Sequence, residues 1–181
     1  MPRFIDTDQR VADMVTGVNR VVVARGIPGL TMREIARQSG ISTGSLMQHF
    51  ESKERMLLIA AHRTGRALIG AAQSDSLWVG VEAFLPTDGE TLRLTRAWVA
   101  WCELARSGGY LAETVEELRG SEREALAVLH EGRLSVDSED TLVALLDGLR
   151  GAVCAARSPL DRERARSLLR AAWDSALTRA A

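Results

Sequence analysis

The sequence predicts an all-α protein of about nine helices. Three observations carry that prediction. The 181 residues include only four prolines. Apolar residues recur at three- and four-residue intervals over long stretches. Strict alternation of apolar and polar residues, the mark of a half-buried strand, is absent. With 46% apolar residues, the chain has enough to bury real cores.

The elements follow in order. A first helix runs from Thr7 or Asp8 to Arg25, with Val11, Met14, Val15, Val18 and Val22 as its buried stripe. Gly26 ends it, and Pro28-Gly29 turns the chain. Thr31 and Glu34 then make a Thr-x-x-Glu capping box at a short helix whose apolar side is Ile35 and Ala36. Gly40 stands where the chain needs a residue that tolerates positive φ. Ser42 caps a second short helix with Leu46 and Phe50 turned inward. Its outward residues are Thr43, Gly44, Ser45, Gln48 and His49. Two short helices around a glycine turn, over about residues 31–50, form a helix-turn-helix, a shape that puts its second helix in the DNA major groove.

Ser52 caps a long helix to about Ala72, lined by Met56, Leu57, Ala60, Thr64, Ala67, Leu68 and Ala71. A shorter helix spans about Ser76 to Leu85 and stops at Pro86. The next, about Asp88 to Ser107, carries Leu94, Ala97, Trp98, Trp101, Leu104 and Ala105 on one face and breaks at Gly108-Gly109. Another covers about Tyr110 to Arg133, with Gly120 as a soft point, before a loop from Ser135 to Ser138. A helix from about Glu139 to Arg157 repeats small residues every four positions, at Ala144, Gly148, Ala152 and Ala156. The last starts with Ser158 as cap and Pro159 in its first turn, and Ala165, Leu168, Leu169, Ala172, Trp173, Ala176 and Leu177 line it.

Side chains that both donate and accept suit the edges of bases, and Thr43, Ser45 and Gln48 are of that kind. Gln48 fits a bidentate pair with adenine, and Gly44 admits backbone or a thymine methyl. Ser42 and Thr31 stand at helix N-termini, where free N–H groups favour phosphate. Charge follows the same division: residues 1–66 hold 10 Arg plus Lys against 6 Asp plus Glu, and residues 67–181 hold 13 against 18. The basic half is the one with the helix-turn-helix.

This run resembles the DNA-binding domain of the TetR family of transcriptional regulators. The likeness rests on Gly26, Ile27-Pro28-Gly29-Leu30-Thr31, Ile35-Ala36, Gly40-Ile41-Ser42, Leu46, His49-Phe50 and Ser52-Lys53-Glu54, and covers about residues 8–60. Trp98 and Trp101 give a weaker likeness to the effector domains of BetI-like members. The resemblance implies a helix-turn-helix domain over 1–55 and an effector-binding and dimerisation domain over 56–181. It implies that Lys53, the only lysine, holds a backbone phosphate, that Arg33 reaches another, and that His49 ends the recognition helix. The family usually has tyrosine where this chain has Met47, so one phosphate contact is expected to be missing.

By the same resemblance, the expected function is that of a ligand-responsive repressor in the cytoplasm, binding an inverted-repeat operator as a homodimer. A small-molecule effector would sit near Trp78, Phe84, Trp98, Trp101, Cys102 and Tyr110, although two tryptophans on one apolar face read equally well as core. The last two helices would pair between copies through Leu145, Gly148, Leu149, Ala152, Leu169, Ala172, Trp173 and Ala176. The competing reading is a helical dimeric interaction protein of the same fold without specific DNA binding, which Met47 and the mild charge favour.

Other functions find no residues. His49, His62 and His130 fall in three different helices, and Cys102 and Cys154 are far apart, so neither metal nor cofactor is expected. No Ser-His-Asp order, glycine-rich phosphate loop or paired-acid motif argues for an enzyme. The longest apolar run, Met56 to Ala61, falls far short of the ~20 residues of a membrane span. Met1-Pro2-Arg3-Phe4 has no apolar region of a signal peptide.

Overall fold

A computed structural model describes residues 7–72, 77–155, 157 and 160–180. Among them are nine α-helices and no strand: α1 (Thr7–Arg25), α2 (Met32–Ser39), α3 (Thr43–Phe50), α4 (Lys53–Ala71), α5 (Leu77–Glu82), α6 (Gly89–Arg106), α7 (Tyr110–Leu129), α8 (Val136–Cys154) and α9 (Arg162–Ala180). A 3-10 turn, Ile27–Gly29, joins α1 to α2. The chain forms two compact units. One comprises Met1–Gly65 with Ala100–Val115, and the other Arg66–Val99 with Glu116–Ala181. Helices α4, α6 and α7 therefore each contribute to both.

In the first unit, α1 lays its apolar stripe, Met14, Val18, Val21 and Val22, against α2, while Ile35, Leu46 and Phe50 close the same core. Gly17 permits the approach. A Cβ built there would stand 2.7 Å from both Cβ and the backbone N of Ser39 at the end of α2. The unit extends beyond the expected boundary at residue 55 because polar bonds tie later helices to it. The indole N–H of Trp101 donates to Asn19 Oδ1 at 3.0 Å. The Asn19 amide donates to Thr64 Oγ1 at 2.8 Å, and that hydroxyl donates to Ala60 O at 2.7 Å. Trp101 is fully buried, so its N–H has no recourse to water.

The second unit is a core of Phe84, Leu85, Leu126, Leu142, Leu146, Leu149, Val153, Leu169 and Trp173 with their neighbours. Arg150 is buried within it. Its Nε donates to Phe84 O at 2.8 Å, and its Nη1 lies 2.5 Å from the Glu122 carboxylate. His130 is a core residue too: its Nδ1 accepts the N–H of Leu134 at 3.4 Å, and its ring faces Trp173.

Several helix ends differ from expectation. Helix α8 begins at Val136 because the Ser135 hydroxyl accepts the Ser138 N–H, so the expected loop is the first turn. Helix α7 stops at Leu129, and positive φ at Glu131 and Gly132 follows. Ser76, Ser158 and Pro159 lie outside the described residues. Helix α9 starts at Arg162, where the Asp161 carboxylate caps it by accepting the Arg164 N–H at 2.7 Å.

Alanine favours a helix over glycine by ~1 kcal/mol. At position 17 that gain is overridden, because the new methyl meets backbone. Gly17→Ala is expected to destabilise the protein by ~1–3 kcal/mol in urea unfolding. A gain in stability would show that α1 and α2 do not approach this closely.

Candidate nucleic-acid interface

Local signals build the helix-turn-helix. Thr31 Oγ1 accepts the Glu34 N–H at 3.2 Å to start α2, and Gly40, at φ 71°, ends it in the left-handed region. Ser42 Oγ accepts the Ser45 N–H at 3.2 Å to start α3. Ser52 does the same for α4, through the Arg55 N–H at 3.1 Å. Only half of the expected capping box forms. The Thr31 N–H bonds Gly29 O instead of the Glu34 carboxylate. That carboxylate is taken by Arg37, at 2.5 and 3.0 Å, and by Gln38, with Arg25 at 3.7 Å. Two guanidinium groups are stronger partners for an acid than one amide N–H.

The face of α3 is open. Thr43, Gly44, Gln48 and His49 are exposed, Ser45 is half-buried, and Met47 is 46% exposed. Leu46 and Phe50 are buried beneath them, as the pattern requires. Thr31, Arg33 and Ser42 are exposed on the neighbouring helix starts, and Lys53 is half-buried in the first turn of α4. Arg33 and Lys53 make no ion pair among the described residues. The surface thus combines capped helix N-termini, unpaired cations and hydrogen-bonding side chains on one short helix, which is what phosphate and base-edge contacts need.

Residues 19–60 match the sequence profile described as bacterial regulatory proteins, tetR family. Over these residues the chain is similar to the DNA-binding domain of TetR-family regulators. It is 27% identical over 165 residues to the HTH-type transcriptional regulator PksA of Bacillus subtilis, spanning 82% of this chain and 80% of that one. The fold matches a TetR-family regulator from Rhodococcus sp. with a TM-score of 0.79 at 22% identity, over 93% of this chain and 99% of that one. It also matches a transcriptional regulator from Saccharomonospora viridis in complex with choline, with a TM-score of 0.75 at 19% identity, over 92% and 95% of the two chains.

The six residues expected around an effector divide between the two units. Trp78, Phe84 and Trp98 belong to the second, and Trp101, Cys102 and Tyr110 to the first. Trp98 and Phe84 are buried, with the Arg150 guanidinium 5.5 Å from the Phe84 ring centre. Trp101 is committed to Asn19. Cys102 is half-buried. Tyr110 is 49% exposed, and its hydroxyl is pushed up from its ordinary pKa by partial desolvation and by the charge of Glu54. Half-buried Trp78 carries the Arg170 guanidinium 4.5 Å from its ring centre, a contact that the sequence pattern did not signal. Glu82 pairs with Arg166, and Glu103 with Arg106 at 2.8 Å.

On the last two helices, Leu149, Leu169, Trp173 and Ala176 lie inside the second unit's own core and present almost no surface to a partner. Gly148 is exposed, and Leu145, Ala152 and Ala172 are half-buried. The small-residue row on α8 is the open face, and a Cβ built at Gly148 or Gly151 would meet nothing within 4 Å.

Among the described residues, no three His, Cys, Asp or Glu gather to hold a metal, and no helix is long and apolar enough to cross a membrane.

The Glu34 carboxyl is held down from 4.5 to about 2, chiefly by the Arg37 hydrogen bonds. A depressed folded-state pKa gives stability that is present above 4.5 and lost as pH falls towards 2. The gap in Tm between wild type and Glu34→Gln should therefore be full at neutral pH and close as pH falls through that window. A gap independent of pH would show that the ion pair contributes nothing.

Proposed function

We propose that the chain is a ligand-responsive repressor that binds an inverted-repeat operator as a homodimer. The observation that carries this is the exposed face of α3, with Thr43 and Gln48 open to solvent above a buried Leu46 and Phe50. A two-fold dimer would offer two such helices to major grooves about one helical turn apart, ~34–36 Å. The open row of Ala144, Gly148 and Ala152 on α8 supports a close helix contact between copies. The transcriptional regulator from Saccharomonospora viridis that shares this fold is in complex with choline, which supports a small-molecule effector for this chain as well. Helices α4, α6 and α7 each run through both compact units, so a ligand that displaces one of them would act on the DNA-binding unit. A coupling of ~1–3 kcal/mol suffices for a switch. The reading assigns no catalysis and no cofactor, and it places the protein in the cytoplasm with the DNA.

Titration of duplexes flanking the chain's own gene, by fluorescence anisotropy, tests the proposal. Nanomolar, sequence-dependent binding with a two-fold stoichiometry supports it; uniform weak binding favours the helical interaction protein instead. Gln48→Ala should cost ~1–3 kcal/mol on the operator and relax preference at one base pair. Lys53→Ala should weaken every duplex alike and lower the slope of log K against log salt by about one.

Met47 offers no hydroxyl to a phosphate and is free to accept a larger polar ring. Met47→Tyr is expected to raise operator affinity by about tenfold, one charge-assisted hydrogen bond's worth. Unchanged affinity and salt slope would place residue 47 away from the DNA backbone.

A further inference from the structure

Arg10, in the first turn of α1, reaches across to α3. Its Nη1 donates to Ser45 Oγ at 2.6 Å and lies 2.7 Å from His49 Nε2. That nitrogen carries two hydrogens and has no lone pair to accept with. Both contacts are therefore donated by Arg10. His49 Nε2 must be the acceptor, which puts the ring hydrogen on Nδ1.

The consequence falls on Ser45. Its oxygen already accepts from a cationic group, and its own hydroxyl hydrogen remains to be given. The nearby positive charge opposes the approach of a second donor and favours an electronegative edge. We infer that Arg10 is a specificity-determining residue that acts through Ser45, fixing that hydroxyl as a donor to the major groove. The base edge opposite Ser45 must then present an acceptor, such as guanine N7 or O6, adenine N7 or thymine O4, rather than the amino group of cytosine. His49, held by the same nitrogen, keeps the far end of α3 in register with this choice. The inference rests on the regulator reading above and sharpens it from DNA binding to the chemistry of one base.

Selection from a random inverted-repeat duplex library, followed by anisotropy titration of single-base variants, tests it with wild type, Arg10→Met, Ser45→Ala and the double variant. Ser45→Ala locates the position, since it flattens the preference there. Wild type should prefer guanine to cytosine at that position by about tenfold, and Arg10→Met should reduce this to about threefold or less while other positions keep theirs. The double variant should be no flatter there than Ser45→Ala alone. Arg10→Met weakening every duplex equally would make Arg10 a phosphate contact and overturn the inference. An unchanged preference would overturn it too. A wild-type library that enriches nothing removes the regulator reading, and this inference with it.

Nitrogen-15 spectra of the free protein give a check that needs no DNA. His49 should be the Nδ1–H tautomer in wild type and lose that bias in Arg10→Met. An Nε2–H tautomer in wild type would refute the clamp.

Discussion

The close approach of α1 and α2 at Gly17 is the constraint on which the open face of α3 depends. Helix α3 is eight residues long and buries only Leu46 and Phe50. A helix so short is marginal by itself and takes its direction from what it packs against. What it packs against is the stack of α1 on α2, and a methyl at position 17 would part that stack. Asn19 lies two residues further along α1 and adds a second restraint, holding Trp101 from α6 and Thr64 from α4. Apolar packing alone would let the helices slide. The hydrogen bonds fix their register, because a displaced Asn19 would leave a buried indole N–H without a partner.

Much of this was legible in the sequence because its signals are local. Thr31, Ser42 and Ser52 start their helices where their spacing to the following turn says they should, and Gly40 takes the positive φ that its place between two helices requires. The periodic stripes found much of the cores, Leu46 and Phe50 among them, but Ala67 and Ala71 of the α4 stripe are exposed, and buried Val21 and Ile69 were not in the stripes. What the sequence did not reveal depends on partners far along the chain. Asn19 and Trp101 are 82 residues apart, and no pattern in either helix announces the pair. Arg10 and Ser45 are likewise 35 residues apart. Glu34 looked like half of a capping box, yet Arg25 and Arg37 converge on it once α1 and α2 pack. The caps of α8 and α9 were missed for another reason. Ser135 and Asp161 stand amid other serines and acids, and periodicity alone does not choose between neighbouring caps.

The buried Arg150 raises a different question. Among the described residues it is the arginine that the fold takes fully out of water, where it meets the Glu122 carboxylate and the Phe84 carbonyl. A buried pair of this kind adds little net stability, since desolvation offsets most of the attraction. It does select one arrangement of α7 against α8, because removing either partner leaves a bare charge in the core, at ~3–5 kcal/mol. The aromatic residues around it serve packing first: Phe84 stacks on the guanidinium, and Trp173 faces His130. The two tryptophans that the sequence grouped on one face have different work. Trp98 is buried without being part of the second unit's main apolar cluster, and Trp101 gives its indole N–H to Asn19.

Charge bookkeeping in the first unit bears on how such a surface would recognise DNA. Glu34 neutralises part of the charge of Arg25 and Arg37, and Glu51 pairs with Arg55 at 3.0 Å. Those arginines are therefore poor sources of counterion release. Arg20, Arg33, Lys53 and Arg63 make no ion pair among the described residues, and Arg10 is turned onto α3. Each arginine held in an ion pair lowers the salt-dependent attraction to arbitrary sequence. In the regulator reading, discrimination between operators comes from base edges, which is where Thr43, Ser45 and Gln48 stand. A chain with net charge −1 can still discriminate well, because lowering non-specific binding widens the ratio between the right site and the many wrong ones.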